Sequence, residues 1–464
     1  MKWKRLVLPA LCAALLVSAR SGEHTAANQP EGFIFPPVHR ATLPNGIRFF
    51  HVHDDLPQLT LVVSIGMGKL HESGDDAGIA ELIAKAITIG GSARYPGNSL
   101  HDAIEAMGGR LSIVSSWETT TITVKVLDRF KNEAFAIAAD LLAHPILAPP
   151  SLDNARSIVA DAIARKADDP AEIAFERARA VIFEGVGYGS VPTPAIIRTL
   201  PVKRIQDYWT RRAVGGNLMV GVSSSIDAEE ASRLCRAYFG LIPQGSEAQY
   251  AVDISRPMSA VARNRGKIFF YPKEIPQTTI VVGTAAPAIG CEGEQALEIM
   301  NYLLGGGSFS SRLVSEIRVK RGLAYTVQSI LRLRRGIGVF LAFAQTENRS
   351  AGGVLDLLLG GVEGMPRAKV SASEVAWARN AISNSFIFRF DTPNRILSNE
   401  MERAYYRLPE DYFSSYRARL ARVTPDDVLR ESGRIFSDGL VTVVVGPREV
   451  EEQMKKRGEV VVIH

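Results

Sequence analysis

Apolar positions along this chain switch between a period of two and a helical period, and the switches fall at glycines. Asn45-Gly46 separates two short apolar runs as a hairpin turn does, and LTLVVSIGM from Leu59 is rich in β-formers. GIAELIAKAITIGG from Gly78 and LHDAIEAMGG from Leu100 then show helical spacing with glycine stops. RLSIVSS and TTTITVKVL alternate like half-buried strands on either side of Trp117-Glu118, and the spacing predicts long helices over 129–144, 151–167 and 171–183. Strands and helices grouped in this way predict an α+β fold with antiparallel sheets rather than a doubly wound parallel sheet.

The pattern also repeats. LPQLTLVV (Leu56 to Val63) returns 219 positions later as IPQTTIVV (Ile275 to Val282). DDPAEI around Pro170 returns 223 positions later as DTPNRI around Pro393, and NLMVGV from Asn217 returns 222 later as GLVTVVVG from Gly439. Offsets this close indicate a duplication. Two similar halves are predicted, over 34–248 and 265–464, with the polar stretch QGSEAQYAVDISRP between them read as a linker.

At 464 residues, 46% hydrophobic and 22% charged, the chain has enough apolar material for more than one core and no run long enough to span a membrane. Its first residues, MKWKR, an apolar run from Leu6 to Val17, and then Val17-Ser18-Ala19, read as a signal peptide over 1–19. The mature protein is therefore expected to be exported, soluble and periplasmic. Without Lys2, Lys4 and Arg5 the 54 cations fall to 51 against 49 anions, which gives no argument for nucleic acid. Cys235 and Cys291, outside any C-x-x-C pair, read as free or buried thiols.

Motifs narrow the chemistry. There is no H-E-x-x-H, H-x-x-E-H or G-x-S-x-G, and the run GGGSFSSR lacks the Gly-Lys-Ser/Thr of a phosphate loop. His51-x-His53, followed by Asp54 and Asp55, reads as a polar strand end or, less often, a metal pair. The most distinctive stretch is SSRLVSEIRVKRGLAYTVQSI (Ser310 to Ile330). Its plain reading is a surface helix with Arg318, Lys320 and Arg321 at the negative end of the dipole, closed by Gly322. Its functional reading sets the Arg318 guanidinium and the Tyr325 phenol together as donors to a peptide carbonyl.

GGGSFSSRLVSEIRVKRGLAYTV resembles the C-terminal-half signature of the insulinase, pitrilysin and processing-peptidase family of inverted zincins, in which an Arg and a Tyr seven residues apart help to bind substrate. LPQLTLVVSIG, the following helix and the D-D-P turn occur in the family's order, in both halves. The resemblance implies two homologous α+β halves that enclose a peptide chamber, with zinc in the first half.

The departure from the family is in the metal site. Where the family's zinc helix resembles G-L-A-H-F-L-E-H, this chain has Gly78-Ile79-Ala80-Glu81-Leu82-Ile83-Ala84-Lys85, and the third ligand position falls at or beside Ala162, next to Asp161. Ala84 cannot accept a proton from water, and the Lys85 ammonium opposes a dication. Glu81 and Lys85, four apart, are expected to pair instead. His71, Glu72 and Glu81 form an alternative donor set, but without ligands at helical i, i+4 spacing.

The resemblance thus implies a chain with no catalytic or metal residues of its own. Such a chain, with Arg318 and Tyr325 binding peptide substrates, would partner a homologous H-x-x-E-H subunit that carries the zinc. A structural or peptide-holding module of the same fold is the alternative, and a hydrolase with an unrecognised site is a third.

Overall fold

The structure is a computed structural model that describes residues 35–246, 255–307 and 309–463. The signal peptide expected over 1–19 lies outside the described residues. The first sheet comprises β1 (His39–Thr42), β2 (Arg48–His53), β3 (Gln58–Ile65), β4 (Arg110–Ser115), β5 (Thr120–Leu127) and β6 (Leu218–Ser224), in the order β1-β2-β6-β3-β5-β4. The second comprises β7 (Lys267–Pro272), β8 (Gln277–Ala286), β9 (Ala324–Arg332), β10 (Gly338–Glu347), β11 (Val441–Gly446) and β12 (Glu459–Val462), in the order β12-β7-β11-β8-β10-β9.

Five strands of each sheet correspond one to one, as the sequence repeat requires. The sixth differs: β1 precedes β2 and pairs with it antiparallel, whereas β12 comes from the end of the chain and pairs with β7 parallel. The sheets are mixed, because β6 returns parallel to β2 and β11 parallel to β7. Alternation reveals a strand's period but not its direction, so the expectation of antiparallel sheets holds for the pairs within each hairpin and fails at these long-range returns.

One face of the first sheet packs against the helices Ile79–Gly90, Lys131–Ala143 and Ala228–Phe239 around a core that includes Phe49, Leu61, Val63, Ile83, Phe135 and Phe239. The other face is covered from far along the chain. The helix Pro393–Tyr405 lies on β2 and β6, and there Gly221 leaves the space taken by Met401 and Leu397. Conversely, the helix Pro170–Ile182 lies on β8 and β11 of the second sheet, where Ile173, Ala174, Ala178 and Ile182 pack with Val281, Val441, Val443 and Val445. The halves have therefore exchanged helices reciprocally.

Both exchanged helices begin with the same device. Asp169 caps the first through Ala171 N–H and Glu172 N–H, Thr392 caps the second through Arg395 N–H, and a proline follows each cap at the first helical position. The repeated D-D-P and D-T-P turns are these caps. Each fully buried aliphatic side chain on such a helix contributes about 1.5–3 kcal/mol, so the exchange binds the halves through their cores.

Residues 247–254 of the stretch read as a linker lie outside the described residues, but its end is structured. Residues 255–263 form a helix, Ser255–Arg263, with Pro257, Ala260 and Val261 buried on one face. Arg256 Nε donates to Glu184 Oε2 at 3.2 Å, and Arg263 also reaches Glu184. The polar character of SRPMSAVAR conceals an apolar i, i+3, i+4 stripe.

Candidate functional site

The helix Ile79–Gly90 starts without a side-chain cap of its own. Glu72, buried, takes that role from a distance: Oε2 accepts from Gly78 N–H at 2.8 Å and Oε1 from Ala80 N–H at 3.1 Å. Ala84 faces inward, and Glu81 and Lys85 are half-buried. Glu81 does not pair with Lys85. Its Oε2 lies 4.0 Å from Lys166 Nζ, on the packed helix Ser151–Lys166. Lys166 is one turn beyond Ala162 on the same helix face, so this contact sets the Ala162 face towards Glu81. The neighbouring helix supplies a cation that reasoning within one helix could not find. Asp161 is directed to Arg198 at 3.6 Å.

These positions do not fit zinc. Of Glu81, Ala84, Lys85 and Ala162 only Glu81 can donate a lone pair, and an ammonium already stands 4.0 Å from it. The alternative donors are engaged elsewhere: Glu72 caps the helix, and His71 Nδ1 accepts from Gly68 N–H at 3.2 Å. His51 is buried near Ser224 Oγ, with its pKa lowered by burial and by the imidazoles of His39 and His53, while exposed His53 faces Asp55 at 3.3 Å. Among the described residues no group of three or more His, Cys, Asp or Glu could hold a metal ion. Both thiols are free, and burial pushes Cys235 up to about 12 and Cys291 up to about 11.

The Arg/Tyr stretch is not an ordinary surface helix. Residues Tyr302–Gly306, which include the first two glycines of the run, and Val314–Lys320 beyond it take wider π turns, a geometry frequent at functional sites. Gly322, with φ +62°, closes the second, donating to Arg318 O at 3.1 Å, and Leu323 N–H donates to Ile317 O at 3.0 Å. Three cations follow from the sequence, but the structure separates them. Lys320 and Arg321 both bind Glu316, at 3.1 and 2.8 Å, and hold its carboxyl below the usual range. Among the described residues Arg318 makes no ion pair; its Cζ sits 4.4 Å from the centroid of the Tyr325 ring and 4.8 Å from that of Phe309.

Arg318 and Tyr325 therefore meet as predicted, but by stacking. The guanidinium packs against two aromatic rings, which restrains it while leaving its N–H groups without an acceptor among the described residues. Tyr325 is 78% exposed and Phe309 63% exposed, so the cluster faces solvent. Phe309 was not singled out from sequence. A large aromatic amid glycines and serines was the available signal, since nothing local requires an apolar ring there.

A second constellation lies where the β4–β5 and β9–β10 hairpins meet. Glu118, in the turn between β4 and β5, is buried; it accepts from the Tyr188 phenol, from Tyr406 Oη at 2.5 Å and from Arg335 N–H at 3.0 Å in the turn between β9 and β10. Burial and the adjacent carboxylate push the Tyr188 and Tyr406 phenols well up. Its neighbour Trp117 has Arg179, Arg334 and Lys69 against its ring, at 4.8, 5.3 and 5.4 Å from the centroid. Sequence marked Trp117-Glu118 only as a turn between strands.

Comparison with known proteins agrees with this architecture. The family model described as insulinase (peptidase family M16) matches residues 50–190, and that described as the peptidase M16 inactive domain matches 199–382. An uncharacterised zinc protease of Mycobacterium leprae is 25% identical over 92% of this chain and 95% of its own, and another of Streptomyces coelicolor is 24% identical over 88% and 90%. Among solved structures, the peptidase M16 inactive domain from Pseudomonas fluorescens aligns with TM-score 0.80 at 18% identity, covering 88% of this chain and 98% of that one. A protease from Helicobacter pylori aligns with TM-score 0.80 at 17% identity, covering 89% and 100%. The chain belongs to the insulinase, or M16 peptidase, family.

Proposed function

We propose that this chain is the non-catalytic, substrate-binding subunit of an exported heteromeric zinc peptidase. Its partner would be a homologous chain with H-x-x-E-H, which would hold the metal and the general base. The observation that carries this reading is the state of Arg318: Lys320 and Arg321 bind Glu316, whereas Arg318 has no carboxylate partner among the described residues and packs against Tyr325 and Phe309. Two fixed N–H groups and a phenol O–H suit a peptide carbonyl, or the oxyanion that forms from it when water adds. The positions Glu81, Ala84, Lys85 and Ala162 support the same division of labour, because they offer a metal ion a single carboxylate, which already faces Lys166. The signal segment supports export. Among the described residues no helix is long and apolar enough to cross a membrane.

The test is peptide hydrolysis in added zinc, read by mass spectrometry on a mixed unstructured peptide pool. The mature chain alone is expected to leave the pool intact, and addition of the homologous H-x-x-E-H chain to give chelator-sensitive cleavage exceeding that of the H-x-x-E-H chain alone. Cleavage by this chain alone would overturn the reading. No enhancement on mixing would leave the structural or peptide-holding module in its place.

A further inference from the structure

The cations around Trp117 border a cavity of 270 Å³ between the exchanged helix Pro170–Ile182 and the hairpin β9–β10. Its rim is exposed at Glu172 and Arg332, and its wall is apolar, with Phe175, Ile330, Ile337, Val339 and Leu341. Its polar side is formed by Arg179 and Arg334, with Lys69 against the same indole. None of Lys69, Arg179, Arg332 and Arg334 forms a side-chain ion pair or hydrogen bond with the described residues, and Arg179 Nε is buried with no acceptor. The buried carboxylates of this region are already engaged: Glu118 receives Tyr188, Tyr406 and the Arg335 N–H, and Glu72, whose charge acts on Lys69, receives the Gly78 and Ala80 N–H groups. Glu172 stands at the rim, and Glu176 acts on Arg179 and Lys69 through space without contact.

Cations gathered on one ring without a carboxylate in contact are costly, since each has lost water and repels the others. Lys69 registers this: burial and then the Arg179 charge bring its pKa down to about 8. An anion entering the cavity would supply the missing acceptor. Its chemistry is bounded by the opposite wall, because a small inorganic anion would leave five apolar side chains facing nothing. We propose that this cavity binds the C-terminal carboxylate of a peptide whose last side chain is apolar, the carboxylate on Arg179 and Arg334 and the side chain against Ile330, Ile337 and Leu341. The choice of a peptide rests on the function proposed above, but the site is separate from Arg318 and Tyr325 and needs no partner subunit.

Binding is measured by fluorescence anisotropy on the full mature chain, with an N-terminally labelled peptide ending in leucine as the free acid and as the C-terminal amide. The free acid is expected to bind at least about tenfold more tightly, as a charge-assisted contact requires. Arg179→Met and Arg334→Met should each abolish that preference, and Arg179→Lys should retain part of it. Thermal unfolding of each variant separates a lost site from a lost fold. Equal binding of acid and amide, no binding of either, or a preference that survives both methionine variants would overturn the proposal. Displacement by inorganic phosphate without any acid preference would overturn it in favour of a simple anion site. Loss of subunit-dependent peptidase activity with the acid preference preserved would instead count against the functional reading alone.

Discussion

Tyr406 donates its phenol proton to Glu118 Oε2 at 2.5 Å, across 288 residues of sequence. The tyrosine ends the exchanged helix of the second half, and the glutamate sits in a hairpin of the first. A third element, Tyr188, reaches the same carboxylate, and the facing hairpin adds Arg335 N–H. One buried carboxylate therefore holds both hairpins and one exchanged helix in register.

Removing that carboxylate strands three donors. Glu118→Ala is expected to destabilise the protein by about 3 kcal/mol, whereas Tyr406→Phe, which removes one donor and leaves two, should cost about 1 kcal/mol. Urea unfolding checks both. Equal losses would mean that Glu118 acts through Tyr406 alone.

The exchanged helix can be tested at its closest approach. A Cβ on Gly221 would lie 2.4 Å from Met401 Sδ and 3.0 Å from Leu397 Cδ1. Gly221→Ala should therefore cost about 1–3 kcal/mol through overpacking. Met401→Ala in the same chain should recover part of the loss, a coupling visible in a double-mutant cycle.

Lys69 gives stability a pH dependence of defined sign. Its pKa falls from 10.5 in the unfolded chain to about 8 in the folded one. Between those values the unfolded chain binds the extra proton, so stability rises with pH across this window, and below about 8 the folded state bears a cation it disfavours. Lys69→Met should flatten that rise and make the protein more stable near pH 7, by about 2 kcal/mol. Denaturant melts of both proteins across the window check it, and parallel curves would contradict it.

Within the assembled peptidase, Arg318→Ala should lower kcat on the order of 10²-fold if its donors act on the transition state. Phe309→Leu, which removes one face of the stack but no donor, should cost less than Arg318→Ala. Steady-state kinetics on a defined peptide distinguish the cases. Unchanged kcat and KM for Arg318→Ala would remove this residue from the mechanism.

Much of this was legible where contacts are local. Alternation placed β4 and β5, helical spacing placed Ile79–Gly90, and the repeated caps Asp169-Pro170 and Thr392-Pro393 marked two equivalent helices. The same local signals could not say which sheet those helices would cover, because each contact partner lies in the other half. The Glu81–Lys85 pair failed for a related reason: i, i+4 spacing ranks partners within one helix, and Lys166 competes from another. Arg318 and Tyr325 lie together because a helix end and the strand after it bring them close, whereas Phe309 and the Glu118 junction depend on loops and hairpins whose approach has no periodic signature.

The reciprocal exchange of helices makes each half depend on the other. A single half, standing alone, would present one apolar sheet face with its cover pointing elsewhere. It could close that face only by meeting a second half and trading helices with it, which is a self-complementary twofold arrangement. Fragments 35–246 and 255–463 produced as separate chains should therefore find each other and form one particle, and two independently stable, non-associating fragments would contradict that dependence.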